Sequence, residues 1–153
     1  MLQLAPRIHS ALPSLSFETS ALIDAMLLAR GSVGTAQWAA THIGFSNRFQ
    51  LARHLSREGL PALHRLGGWM TILSWLWDWE RSGVALCSSA LRAGKDPAAC
   101  RRLVRRITGS SWREQQWAGI NGALAQFSSE CCCAHGSSAV PERGRRRAEI
   151  ARA

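Results

Sequence analysis

One fragment of this chain occurs twice, 50 residues apart. Ala39, Ala40, Gly44 and Gly59 mark the first copy, and Ser89, Ala90, Gly94 and Gly109 the second, so each Gly-to-Gly interval is 15 residues. A fixed displacement of this size is the trace of one supersecondary unit used twice. Each copy reads as a short helix, a polar turn led by Gly, and an arginine-bearing helix closed by Gly. The repeat therefore predicts an all-α fold with two helix-turn-helix subdomains.

The elements follow from apolar spacing and capping residues. Residues 1–15 contain Pro6 and Pro13 and are weakly patterned, which predicts an irregular lead-in. Leu22, Ile23, Met26 and Leu27 predict a helix over 18–30. Thr35 is placed to cap a helix through Thr41, with Trp38 and Ala39 facing inward. Ser46 or Asn47 caps the next helix, in which Leu51 and Leu55 lie four apart. Pro61 opens a long helix to Arg81, where Gly67–Gly68 allow a bend or close packing. About 20 residues at ~1.5 Å each give a spacer of roughly 30 Å, near one turn of duplex DNA. In the second unit Asp96–Pro97 reads as N-cap and N1 of a helix to Thr108, buried on Cys100, Leu103, Val104 and Ile107. A last helix over Ser111–Ile120 would return Trp112 to the core. The organisation is thus a lead-in (1–33), a double helix-turn-helix domain (34–120) and a tail (121–153). Within the domain the first unit is 34–60, the linker helix 61–82 and the second unit 84–120. The pattern stops beyond Gln126, where Ser, Gly, Cys and Arg dominate, and the tail is expected to be disordered and basic.

The chain of 153 residues has a net charge of +9, which points to an anionic partner, most simply nucleic acid. The excess is concentrated: residues 34–119 hold twelve basic and five acidic side chains, while 1–33 are neutral. The longest apolar run, Trp69–Trp79, is interrupted by Asp78 and too short to span a bilayer, so no membrane partner is expected. No secretory leader is legible, and five cysteines, three of them adjacent, favour a reducing cytoplasm over a disulfide framework.

Residues Ala39 to Gln116 resemble the DNA-binding domain of AraC/XylS-type bacterial transcriptional regulators. The matching stretches are AATHIGFSNRFQLARHLSREGLP at 39–61 and SSALRAGKDPAACRRLVRRITGSSWRE at 88–114. The resemblance implies a homeodomain-like fold of seven helices. Two recognition helices would enter successive major-groove segments on one face of double-stranded DNA, with RNA polymerase as a candidate second partner and the bacterial nucleoid as the place of action. The chain departs from the pattern at Lys95, where an aromatic residue is usual, and its second turn is one residue shorter. Residues 1–33 are too few to enclose an effector.

By position in that motif, Arg48, Gln50 and Arg53 of the first unit and Arg102 of the second would reach base edges. The chemistry suits the role, since Arg bridges guanine O6 and N7 and Gln bridges adenine N6 and N7. Ser46, Asn47, Arg57, Arg101, Arg105 and Arg106 are placed for phosphate. The bland alternative is that all are solvated positions. Cys131, Cys132 and Cys133 beside His135 do not have zinc-ligand spacing, and no metal or cofactor is expected. Cys87 and Cys100 read as small buried residues. The histidines are scattered with no acid placed to orient one, so no catalytic set is legible and no enzyme is expected. A second reading is a helical protein-interaction module that uses Trp75 and Trp79, with incidental basic charge.

Overall fold

The computed structural model describes residues 3–31 and 33–133. All regular structure among them is α-helical: α1 Leu4–Ala11, α2 Phe17–Leu28, α3 Ala36–His42, α4 Arg48–Arg57, α5 Leu63–Ser82, α6 Leu86–Arg92, α7 Pro97–Thr108 and α8 Trp112–Cys133, the last kinked at Gly119, where φ is +67° and ψ −178°. The all-α expectation holds, with eight helices among the described residues instead of seven. None of these is long and apolar enough to cross a membrane.

Helix α5 is the axis of the molecule. Every residue from Leu66 to Trp77 is buried, which is how a helix apolar on all sides is accommodated. Its two internal hydroxyls are satisfied locally: Thr71 and Ser74 donate to the carbonyls of Gly67 and Met70 at 2.9 and 2.8 Å. Trp75, expected on a separate contact face, is 4% exposed and belongs to this core. Helix α8 packs along α5 in the opposite direction, since Glu80 accepts from Ile120 N while Arg65 and Trp69 donate to Glu130. Helices α2 and α7 cover further faces of α5, and α1 lies across α2 and α8. Gly68 makes the α5–α7 approach possible: a Cβ there would sit 2.8 Å from Ile107 Cδ1. Gly68 thus serves close packing.

Two expectations are overturned at the ends of the chain. The irregular lead-in contains α1, whose Leu4 and Ile8 are fully buried. Pro6 sits in its first turn, where no N–H is needed, so it does not break the helix. The tail expected from 121 is helical through Cys133. It buries Ile120, Ala123, Leu124, Phe127 and Cys131, a helical stripe that the Ser and Cys residues around it obscured. Residues 134–153, with His135 and the arginine cluster, lie outside the described residues. Trp38 also differs from expectation: it is 49% exposed and stacks on His42 with ring centroids 3.8 Å apart, while Ala39 faces the core.

Gly31 joins α2 to the rest. Its φ of +137° is closed to L side chains, and a Cβ would lie 2.1 Å from Thr71 Oγ1, whose hydroxyl also reaches Arg30 O at 3.2 Å. Gly31→Ala is therefore expected to destabilise the fold by about 3 kcal/mol, combining backbone strain with a displaced core hydroxyl. Urea unfolding measures this, and a loss under about 1 kcal/mol would contradict it.

Candidate nucleic-acid interface

The two helix pairs repeat in hydrogen bonding as they do in sequence. Phe45 N donates to Ala40 O and Lys95 N to Ala90 O, both at 2.9 Å, around Gly44 and Gly94 with φ of +89° and +63°. Ala40 and Ala90 are fully buried. Beyond this point the copies diverge. Five residues, 43–47, separate α3 from α4, whereas four, 93–96, separate α6 from α7. The second turn is one residue shorter, as expected from the sequence.

Capping fixes where each second helix begins. Asn47 Oδ1 accepts from Phe49 N and Gln50 N, both at 3.0 Å, and Ser46 N donates to Gln50 Oε1 at 3.1 Å, a variant of the capping box in which Gln50 reaches the residue before the N-cap. Asp96 accepts from Ala98 N and Ala99 N at 2.9 and 3.1 Å, with Pro97 at N1. The Ala98 bond leads in holding the Asp96 carboxyl below its ordinary range, with Ala99 and Arg102 assisting. With the start fixed, Leu51 and Leu55 of α4 and Cys100, Val104 and Ile107 of α7 turn inward. Leu103 is half-buried.

The arginines occupy the opposite faces. Arg48, Gln50, Arg53 and Arg57 of α4 and Arg101, Arg102, Arg105 and Arg106 of α7 are all exposed, as is Ser46, while Asn47 is half-buried by its capping role. Arg102 meets Asp96 at 3.5 Å with both side chains mostly in solvent, a weak pair. Arg101 donates to Cys87 Sγ at 3.2 Å; Cys87, expected to be buried, is half-exposed, while Cys100 is buried as expected. Gln50 is engaged through Oε1, so bidentate reading of adenine would require it to leave the capping box.

Side chains that sequence reasoning did not single out hold α7 in place. Arg65 of α5 donates to the carbonyl oxygens of Arg106 and Ile107 at 3.4 and 2.8 Å, and Gln126 of α8 donates to Thr108 O at 2.6 Å. The open carbonyls at the end of α7 are thus capped from two other helices. Arg65 is itself gripped by Glu130, to which Trp69 Nε1 also donates at 3.0 Å. Burial raises the Glu130 pKa, but these donors outweigh it and hold the carboxyl below its usual range. Residues 61 and 65 positions apart in a sequence carry no local sign of such pairing.

Helix α4 is pinned differently. Glu58 accepts from Ser16 N at 3.1 Å, His54 Nε2 lies 3.2 Å from Glu58 Oε1, and the same nitrogen is 2.9 Å from Ser16 Oγ. His9 likewise pairs with Asp24 at 2.9 Å. The expectation that no acid attends a histidine is therefore corrected. At His54 the serine and the acid meet the same ring nitrogen, so the group fastens α4 to the start of α2 and does not form a proton relay. Burial raises the Glu58 pKa, but bonds from Ser16 and Thr19 and the nearby His54 bring it below the ordinary value. A depressed carboxylate contributes stability above its unfolded pKa and loses it as pH falls through the folded one. Melting temperature is expected to be flat from pH 7 to about 5 and to fall below about pH 4, with a shallower acid limb in Glu58→Gln. An identical limb in that variant would refute the assignment.

The two second helices open on one groove. Arg48, Phe49 and Ala52 of α4, Gly67 and Gly68 of α5, and Lys95 and Leu103 of the second unit line a cavity of about 570 Å³. Helix α7 runs back along α5, so that its last carbonyls reach Arg65 near the start of α5. Helix α4 faces Gly67 and Gly68 across this cavity and α7 ends beside Arg65, so both second helices meet α5 in its first half. Cys131 is buried and its thiol is pushed up to about 12 by burial, while Cys132 is exposed, so these neighbours do not converge. Among the described residues no group of three or more His, Cys, Asp or Glu side chains could hold a metal ion. Comparison with protein-family models, curated proteins and solved structures returned no match for this chain.

Proposed function

We propose that the chain is a sequence-specific DNA-binding transcriptional regulator of the AraC/XylS type, with α3–α4 and α6–α7 as its two helix-turn-helix units. The observation that carries this reading is the pairing of repeat and charge. The second helix of each copy exposes arginines, and both helices border one groove. Arg48, Arg53 and Arg102, with Gln50 once released, read base edges in adjacent major-groove segments. Ser46, Asn47, Arg57, Arg101, Arg105 and Arg106 hold phosphates.

The test is selection of bound sites from a random duplex library, followed by salt titration on the selected site. Four arginine–phosphate contacts predict a slope near −3.6 in log K against log salt, or a loss of about 150-fold between 50 and 200 mM. Equal, weak binding to every duplex with no enriched site would reject the reading. The interaction-module alternative loses Trp75, which is in the core, and retains Trp79, which is half-buried.

A further inference from the structure

Apart from Arg48, the interior of the groove between α4 and α7 takes no part in the proposed reading of DNA. Its walls include Phe49, Leu63 and Leu103, its floor is the Gly67–Gly68 backbone, and Arg48 and Lys95 are its cations. No carboxylate lines it among the described residues. Its volume of about 570 Å³ falls within the range of small-molecule sites, roughly 300–1,000 Å³. Phe49 is 64% exposed, with the Arg48 guanidinium 4.9 Å from its ring centre. Neither Arg48 nor Lys95 has an ion-pair partner among the described residues.

The internal repeat sharpens the point. Lys95 stands where the first unit has Phe45, displaced by 50 residues, and both backbones make the same turn hydrogen bond. Phe45 packs against the core beside His54. Lys95 is exposed and turned to the groove, so its charge is not needed to close the turn. An apolar chamber with an unbalanced positive lining is complementary to an apolar body bearing one negative charge. The Phe49 ring favours a flat body.

We propose that this groove binds a small aromatic monoanion, a carboxylate or sulfonate. Its ring lies on the Gly67–Gly68 backbone between Phe49 and Leu103, and its anionic group meets Arg48 and Lys95. A phosphodiester offers the charge without an apolar body to fill the chamber.

Calorimetric titration of the full chain, without DNA, tests this with 2-naphthoate, its neutral amide, 2-naphthylmethylammonium and inorganic phosphate. Saturable one-to-one binding of 2-naphthoate is expected, at least tenfold tighter than either analogue, with no measurable binding of phosphate. Lys95→Glu is expected to weaken 2-naphthoate at least tenfold, and Ala52→Trp to abolish its binding by filling a wall, each with an unchanged melting temperature. If one variant does not fold, the other decides. Absence of saturable binding, equal affinity for the cationic analogue, or wild-type affinity in the folded variants would overturn the proposal. The assay contains no DNA, so its outcome is independent of the regulator reading.

Discussion

Alanine at both Arg53 and Arg102 is expected to weaken binding to a selected duplex by about 2–6 kcal/mol, one to four orders of magnitude, and to erase preference over a scrambled duplex. Each arginine is exposed on the second helix of its unit. Each bidentate contact to guanine is worth about 1–3 kcal/mol of discrimination, and contributions from separate units should add. Arg102 must first release Asp96, but that pair lies in solvent and is weak. Two controls give the result its meaning. Arg53→Lys keeps the charge but not the planar fork, so it should retain general affinity and lose base preference. Arg106→Ala removes a proposed phosphate contact and should weaken every sequence alike. Competition binding on selected and scrambled duplexes measures all three. A double variant that still discriminates as the wild type does would remove Arg53 and Arg102 from the readout.

The second large effect is on stability. Glu130→Ala is expected to destabilise the fold by about 3 kcal/mol, since it strips Arg65 and Trp69 of their shared acceptor in a half-buried site. For a domain of this size that lowers the melting temperature by roughly 6–12 °C. The consequence reaches α7. Arg65, no longer gripped by Glu130, caps Arg106 O and Ile107 O less firmly, so hydrogen exchange near the end of α7 should rise more than in α4. Glu130→Gln keeps an acceptor for Trp69 and should lose about half as much. Arg65→Ala combined with Glu130→Ala should be far from additive, because both remove one network. Unfolding within about 0.5 kcal/mol of wild type in Glu130→Ala would show that the network does not tie α5, α7 and α8 together.

Local signals in this chain were legible wherever a single residue type does a single backbone job. Thr35, Asn47 and Asp96–Pro97 are the N-caps the sequence reading named, and Gly59, Gly83 and Gly109 follow their helices as expected. The buried leucines of α4 and the arginines opposite them follow from helical spacing alone. Signals that compete with stronger punctuation were missed. Pro6 hid α1, and the Ser and Cys residues of 128–133 hid the stripe that carries α8 past Ile120. The candidate base-reading residues were legible by type and position, but not the state in which Gln50 is held.

By itself the sequence determined the all-helical class, the duplicated pair, the shorter second turn and the exposure of the arginines, because each is set within a few residues by capping, turn geometry and apolar period. Only the tertiary structure decided that α7 folds back beside the start of α5, that Arg65, Gln126 and Glu130 secure it, and that Phe49 and Lys95 line one groove. These contacts join positions tens of residues apart, and their partners are chosen by packing around α5, which no local pattern encodes.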